Sequence, residues 1–263
     1  MNNTMSIGSV FSIVILSVIS AFTVGGIIMG ISASSPGQVN KLYLYISFLI
    51  GQGIILAPPI YFLTVKKQPI FESLRIKIVS LGTIKATLIF SIGILIVFDT
   101  LDRIIHKFIP PPEYIIDLGE IMRPDSTLGY IFLFLAVVIV APIGEEVVFR
   151  GFLQKFLEKY WEDVTRAVLV TSLFFAMIHF NPFWTIQIYL LGVILGFLSW
   201  KTKSVLPSII LHIVNNGSAY ILTNIDEKSI EFYLWKDQVS PMFILLAIFL
   251  IYKGHKGINL EKS

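Results

Sequence analysis

The chain has 263 residues, 55% of them hydrophobic and 14% charged, with no cysteine and a mean hydropathy of +0.81. Soluble domains carry roughly 25% charged residues, so a water-soluble globular fold is excluded, and the missing cysteine excludes disulfides, thiolate metal sites and a cysteine nucleophile. The net charge of +3 is small and no basic, aromatic-interleaved patch accompanies it, so no nucleic-acid partner is expected; the expected surroundings are a lipid bilayer.

A membrane helix takes about 20 apolar residues. Eight stretches approach or exceed that length: 7–32, 42–65, 82–105, 128–148, 165–180, 184–200, 204–223 and 239–252. They predict an all-α, polytopic membrane protein, one domain over 1–263, with about eight transmembrane helices in one bundle. The first stretch is too long for a signal-peptide core and no basic segment precedes it, so it is expected to be a retained span. Pro58-Pro59 should kink the second. Gly26/Gly30 and Gly192/Gly196 are small-xxx-small pairs, expected to be packing faces. With the N-terminus in the cytoplasm, thirteen Lys and Arg fall in cytoplasmic connections and six on the opposite side. The positive-inside rule therefore predicts cytoplasmic N- and C-termini, and a multi-pass protein of the cell membrane if the source is prokaryotic. The acidic, proline-bearing connection from Asp99 to Asp125 then lies outside as a solvated loop.

The fourth stretch runs into Ala141-Pro-Ile-Gly-Glu-Glu-Val-Val-Phe-Arg-Gly151. Charged groups at membrane depth face a protein interior or a wet cavity and point to function. Arg150 lies one turn after Glu146 on the same face and can neutralise it. Glu145 projects about 100° away and keeps no built-in partner. Pro142 loosens the hydrogen bonding of the turn before the pair. Of the four histidines, His106 and His255 lie in polar connections, whereas His179 and His212 lie in or at the ends of apolar spans. Glu145 and His179 are equally far in sequence from the turn expected near Glu162, so a helical hairpin would bring them to similar depth. His212 and Asn216 share a helix face. Asn215 points about 100° away from Asn216.

A carboxylate and an imidazole can together deprotonate a water. An imidazole N–H and an amide N–H₂ can stabilise an oxyanion. The same Glu, His and His could instead hold zinc with an open position for water, and the residues leave that choice open.

Three boxes carry a resemblance. Glu145-Glu146-x-x-x-Arg150, Phe175-x-x-x-His179 and His212-x-x-x-Asn216, flanked by Ala141-Pro-Ile-Gly and Leu206-Pro207, resemble the CAAX-protease and bacteriocin-processing family of intramembrane endopeptidases, the Rce1-like or Abi family. The resemblance covers about 128–224. It implies an eight-helix membrane fold and hydrolysis of a peptide or membrane-protein substrate, lipidated in the CAAX case. It implies that Glu145 and His179 activate water, that His212 and Asn216 bind the oxyanion, and that Glu146 and Arg150 support them. It also implies no cofactor, with zinc as the alternative. Two other classes compete: a transporter using the carboxylates and histidines as an ion pathway, and a non-catalytic immunity scaffold. No His-Glu-x-x-His, Gly-x-Ser-Gly or Gly-x-Gly-Asp signature of other intramembrane proteases is present.

Overall fold

The computed structural model describes residues 5–32, 40–225 and 227–258. Helix α1 (Ile7–Ser32) packs along α2 (Lys41–Ile54), which Asn40 caps by accepting hydrogen bonds from the amides of Leu42 and Tyr43. Pro58 and Pro59 do more than kink the second span. They stand in the first turn of a new helix, α3 (Ala57–Val65), where a missing proline N–H is tolerated. A short α4 (Ile70–Ser73) leads into α5 (Leu81–Phe108), which Ser80 caps. The predicted outer loop contains α6 (Glu113–Met122) rather than only irregular chain.

The fourth span is the longest, an unbroken helical rod from Thr127 to Trp161. It is not uniformly α-helical. It runs from α7 (Thr127–Phe134) through a π-helical segment, Leu135–Val140, into α8 (Ala141–Glu146). A second π-helical segment, Val147–Gln154, precedes α9 (Lys155–Trp161). Glu162 closes this rod in the left-handed conformation (φ 54°), and Asp163 caps the next helix by accepting from the Arg166 amide. The turn thus falls where the sequence places it.

The remaining helices are α10 (Val164–Met177), α11 (Thr185–Thr202), α12 (Leu206–Asn224) and α13 (Pro241–Gly257). A 3-10 turn (Glu227–Tyr233) and a two-residue antiparallel pair, β1 (Leu234–Trp235) with β2 (Gln238–Val239), stand between the last two. The fold is all-α apart from this pair among the described residues. All eight predicted stretches are helical. Five are long and apolar enough to cross a bilayer: Ile7–Ile31, Lys41–Val65, Leu81–Phe108, Thr127–Trp161 and Thr185–Thr202. Of the other three, α10 is apolar but short, α12 carries His212, Asn215 and Asn216, and α13 ends in a basic turn. Large apolar side chains such as Ile15, Leu16, Phe22 and Phe249 face outward, the pattern of helices solvated by lipid rather than water. These features make the chain an all-α polytopic membrane protein.

Glycines set the closest approaches, but not all the expected ones. A side chain at Gly26 or Gly30 would meet nothing, so that pair is no packing face among the described residues. The α1–α2 approach uses Gly51 instead, where a Cβ would stand 2.9 Å from the Ala21 carbonyl oxygen. Gly151 lies directly against the Leu74 carbonyl and leaves no room for a side chain. This contact seats the 74–77 segment on the fourth span. There Arg75 pairs through both terminal nitrogens with the Glu158 carboxylate.

Candidate active site

Two irregular turns place the acidic pair. The Ala141 amide donates to Ala136 O, a bond spanning five residues instead of four. Such π-turns are rare and gather at functional sites. Glu145 and Glu146 end the α-helical turn between the two π segments, and Arg150 sits inside the second. The Glu146 and Arg150 side chains are fully buried, with Nη1 donating to Oε1 at 2.8 Å. Arg150 Nη2 donates to Gly192 O at 3.1 Å, and its guanidinium lies 4.2 Å from the centroid of the Phe175 ring. Salt bridge, carbonyl bond and cation–π contact together hold this buried cation.

His212, on α12, is buried and reaches Glu146 Oε1 with Nδ1 at 2.9 Å. A carboxylate oxygen gripped by a guanidinium accepts, so Nδ1 carries the hydrogen and the ring orientation is fixed. The other nitrogen, Nε2, stands 3.9 Å from Glu145 Oε2. Glu145 is buried, and among the described residues that histidine is the one basic side chain within 4.0 Å of its carboxylate. One carboxylate is therefore locked and the other is not.

Asn216, one turn after His212, donates from Nδ2 to Val137 O at 3.0 Å and accepts at Oδ1 from Asn215 Nδ2 at 3.2 Å. Among the described residues one N–H of its amide remains uncommitted. His212 and Asn216 thus dock against the fourth span at two points, as their shared face predicts.

His179 differs from the expectation. It stands two residues past the end of α10, in a turn, and is exposed. Its Nδ1 faces Phe175 O at 2.7 Å, so that nitrogen donates and Nε2 is left with a free lone pair. No hydrogen bond or ion pair joins it to Glu145 among the described residues. Equal spacing in sequence gives equal depth only where both arms are α-helical. A five-residue bond fits an extra residue into each turn, so the π segment after Glu145 advances less per residue than α10 does. His179 still borders the cluster through Phe175, whose buried ring meets His179 edge-on at 4.8 Å and His212 at 6.0 Å. Phe175 is packing, but it is the packing that three of the polar side chains share.

Sequence reasoning missed a polar ladder behind the site. Gln154 Nε2 donates to Glu158 Oε1 at 2.8 Å and to Gly196 O at 2.9 Å. Glu146, Arg150, Gln154 and Glu158 are spaced by four, and Gly192 and Gly196 offer carbonyls at the same spacing. Those glycines are more than an apolar packing face: they let Arg150 and Gln154 reach main-chain oxygens of α11. The repeating four-residue interval was the available signal.

As for zinc, no three His, Asp or Glu side chains converge as ligands among the described residues. Glu146 is bonded to Arg150 and His212, and His179 stands apart, so this arrangement does not fit a three-ligand metal site and no step is drawn through one.

Comparison with known proteins adds an independent line. A family model described as type II CAAX prenyl endopeptidase, Rce1-like, matches residues 127–218. The UPF0177 protein YbdI of Lactococcus lactis subsp. lactis is 30% identical over 131 residues, covering 48% of this chain and 70% of that protein. No solved structure matches the chain. The matched stretch contains Glu145, Glu146, Arg150, Phe175, His179, His212 and Asn216, and by these matches the chain belongs to the Rce1-like family of CAAX-type membrane endopeptidases, a family of proteases.

Proposed function

We infer that the protein is an intramembrane endopeptidase that cleaves a peptide bond of a membrane-associated substrate, lipidated in the CAAX case, by a water activated at Glu145. The observation that carries this reading is the asymmetry of the acidic pair. Glu146 is fixed by direct bonds to Arg150 and His212, while Glu145 makes no hydrogen bond among the described residues and has only His212 Nε2, 3.9 Å away, beside it. Glu145 takes a proton from water, and the water oxygen attacks the peptide carbonyl carbon. Asn216 donates its uncommitted N–H to the developing oxyanion. His212 donates from Nε2 in its doubly protonated form, since Nδ1–H is already given to Glu146. The proton held at Glu145 passes to the leaving amine as the C–N bond breaks. No cofactor takes part in this scheme.

His179 assists from the end of α10 by accepting at Nε2. Catalytic hydrogen bonds are often long in the free enzyme and tighten on the substrate, so this pair is one that closes around the bound peptide. The length of α10 also bears on access. Its 14 residues rise about 21 Å at 1.5 Å each, against roughly 30 Å for the hydrocarbon layer. The His179 turn then lies below the outer interface, where a peptide and water can both reach it.

A second reading follows from the 3.9 Å between Glu145 Oε2 and His212 Nε2. Here His212 is the imidazole that shares the water with Glu145, and Asn216 alone binds the oxyanion. His179→Phe separates the two: it lowers kcat by about 100-fold if His179 handles the water, within the usual range for a proton-transfer group, and by less than about threefold if His212 does.

The assay is purified protein in liposomes with a farnesylated reporter peptide ending in Cys-aliphatic-aliphatic-X and its unlipidated twin. Cleavage of the lipidated peptide alone supports the CAAX form of the activity. Cleavage of both supports a broader endopeptidase. Ion flux through the same liposomes without any cleavage would favour the transporter class and sink this reading.

A further inference from the structure

We propose that Pro142 is a positioning residue for Asn216: it leaves one main-chain carbonyl uncontested, and that carbonyl orients the Asn216 amide. The proposal deepens the reading above and rests on it for its kinetic consequence.

The Ala141 amide reaches back to Ala136 O. In that register the next donor, at position 142, would reach Val137 O. Position 142 is a proline, in the first turn of α8, and has no N–H. Val137 O is therefore passed over by the Ala141 amide and cannot be served by residue 142. Val137 is half-buried, and a carbonyl shielded from water is costly to leave without a donor. Here the donor is Asn216 Nδ2 at 3.0 Å, from a different helix.

The consequence is orientational. An amide at the end of two rotatable bonds has several ways to point, and the Val137 bond removes that freedom at one N–H. The Asn215 Nδ2 bond to Oδ1 settles which edge of the amide is which. The remaining N–H is then aimed by the rest of the group. Ordinary α-helix at this point would bond Val137 O to the Ala141 amide. It is the combination of a π register with proline one residue later that leaves this carbonyl to α12. A carbonyl has two lone pairs, so a restored N–H at 142 need not evict the amide outright. It would turn the carbonyl toward the helix axis and lengthen the bond to Asn216.

The test uses the full-length protein in detergent with ¹⁵N-labelled asparagine, and reads the side-chain amide protons of Asn216, assigned with Asn216→Asp. Wild type should show one slowly exchanging Asn216 side-chain proton. Pro142→Ala supplies an N–H and should shift that resonance and lose its protection. Replacing Pro142 by the α-hydroxy analogue of alanine has neither ring nor N–H, only an ester oxygen, and should restore the wild-type signal. This second variant separates the missing N–H from the rigidity of the ring. An unshifted Asn216 amide in Pro142→Ala, or equal loss in both variants, overturns the proposal.

Kinetics on the farnesylated reporter supply the other arm. Pro142→Ala should lower kcat by about tenfold with KM unchanged, because the affected bond acts on charge that develops in the transition state. In an Asn216→Ala background the same substitution should cost nothing further, since the group it positions is gone. Losses that multiply would mean Pro142 acts elsewhere and overturn the proposal. A shifted amide in a protein that cleaves nothing would defeat the protease reading while leaving the Pro142–Asn216 relation standing.

Discussion

Glu146 and Arg150 form the rigid part of the site, and the physics of the pair lies in what each would become alone. Both side chains are fully buried. Removing one partner of such a pair costs about 3–5 kcal/mol, because the other charge is stranded without water. Arg150→Ala should therefore lower the unfolding temperature in detergent and abolish turnover together. Arg150→Lys should rescue neither fully. A lysine cannot bond Glu146 Oε1 and Gly192 O at once with a planar fork, nor stack on Phe175. A stable, active Arg150→Ala protein would show that the pair is dispensable. The metal question is decided at the same scale. Activity should survive exhaustive chelation, and elemental analysis should find no stoichiometric zinc. One tightly held zinc per chain, with activity lost on its removal and restored by zinc alone, would contradict the water-and-carboxylate scheme.

At the level of helices, the fourth span works as a notched rod, and its neighbours fit the notches. Gly151 receives the Leu74 carbonyl, so a methyl group there would press on main chain that cannot swing away. Gly151→Ala should destabilise the protein by about 1–3 kcal/mol, the range for overpacking, readable as an earlier thermal transition. An unchanged transition would mean that the 74–77 segment moves aside freely. Much of this level was legible in advance: each of the eight apolar stretches is helical, the second as two helices, Glu162 marked the turn, and the interval of four between Glu146 and Arg150 foretold their bond. The π register was not legible. It depends on which of two carbonyls an amide chooses, a choice made by packing between helices rather than by local residue type. That one unread feature changes the rise between Glu145 and the turn, which the equal spacing in sequence took as uniform. It also concealed the use of Val137 O by Asn216. The outward glycines of α1 were misread for a related reason: a small-xxx-small spacing shows that close approach is sterically allowed, not that a neighbour comes to that face.

For the molecule as a whole, the distribution of Lys and Arg makes a topological prediction. Both termini and the 66–80 connection should face the cytoplasm, and α6 should lie on the opposite side. The absence of native cysteine makes the test free of background. Lys67→Cys should react with a membrane-impermeant maleimide only after the cells are opened, whereas Glu113→Cys should react in intact cells. The reverse pattern would invert the protein in the membrane and place the His179 turn on the cytoplasmic side.

The central claim is that Glu145 is the base of a peptide-bond hydrolase, and Glu145→Gln tests it most directly because it keeps the size of the side chain and removes only its basicity. The measurement is mass spectrometry of the peptides released from the protein's own membranes, comparing wild type with Glu145→Gln at equal expression and equal thermal stability. The account predicts a set of new peptide termini in wild type that falls by about two to four orders of magnitude in the variant, the usual contribution of a general base. The same termini appearing at the same rate in Glu145→Gln, or none appearing with wild type, would contradict it.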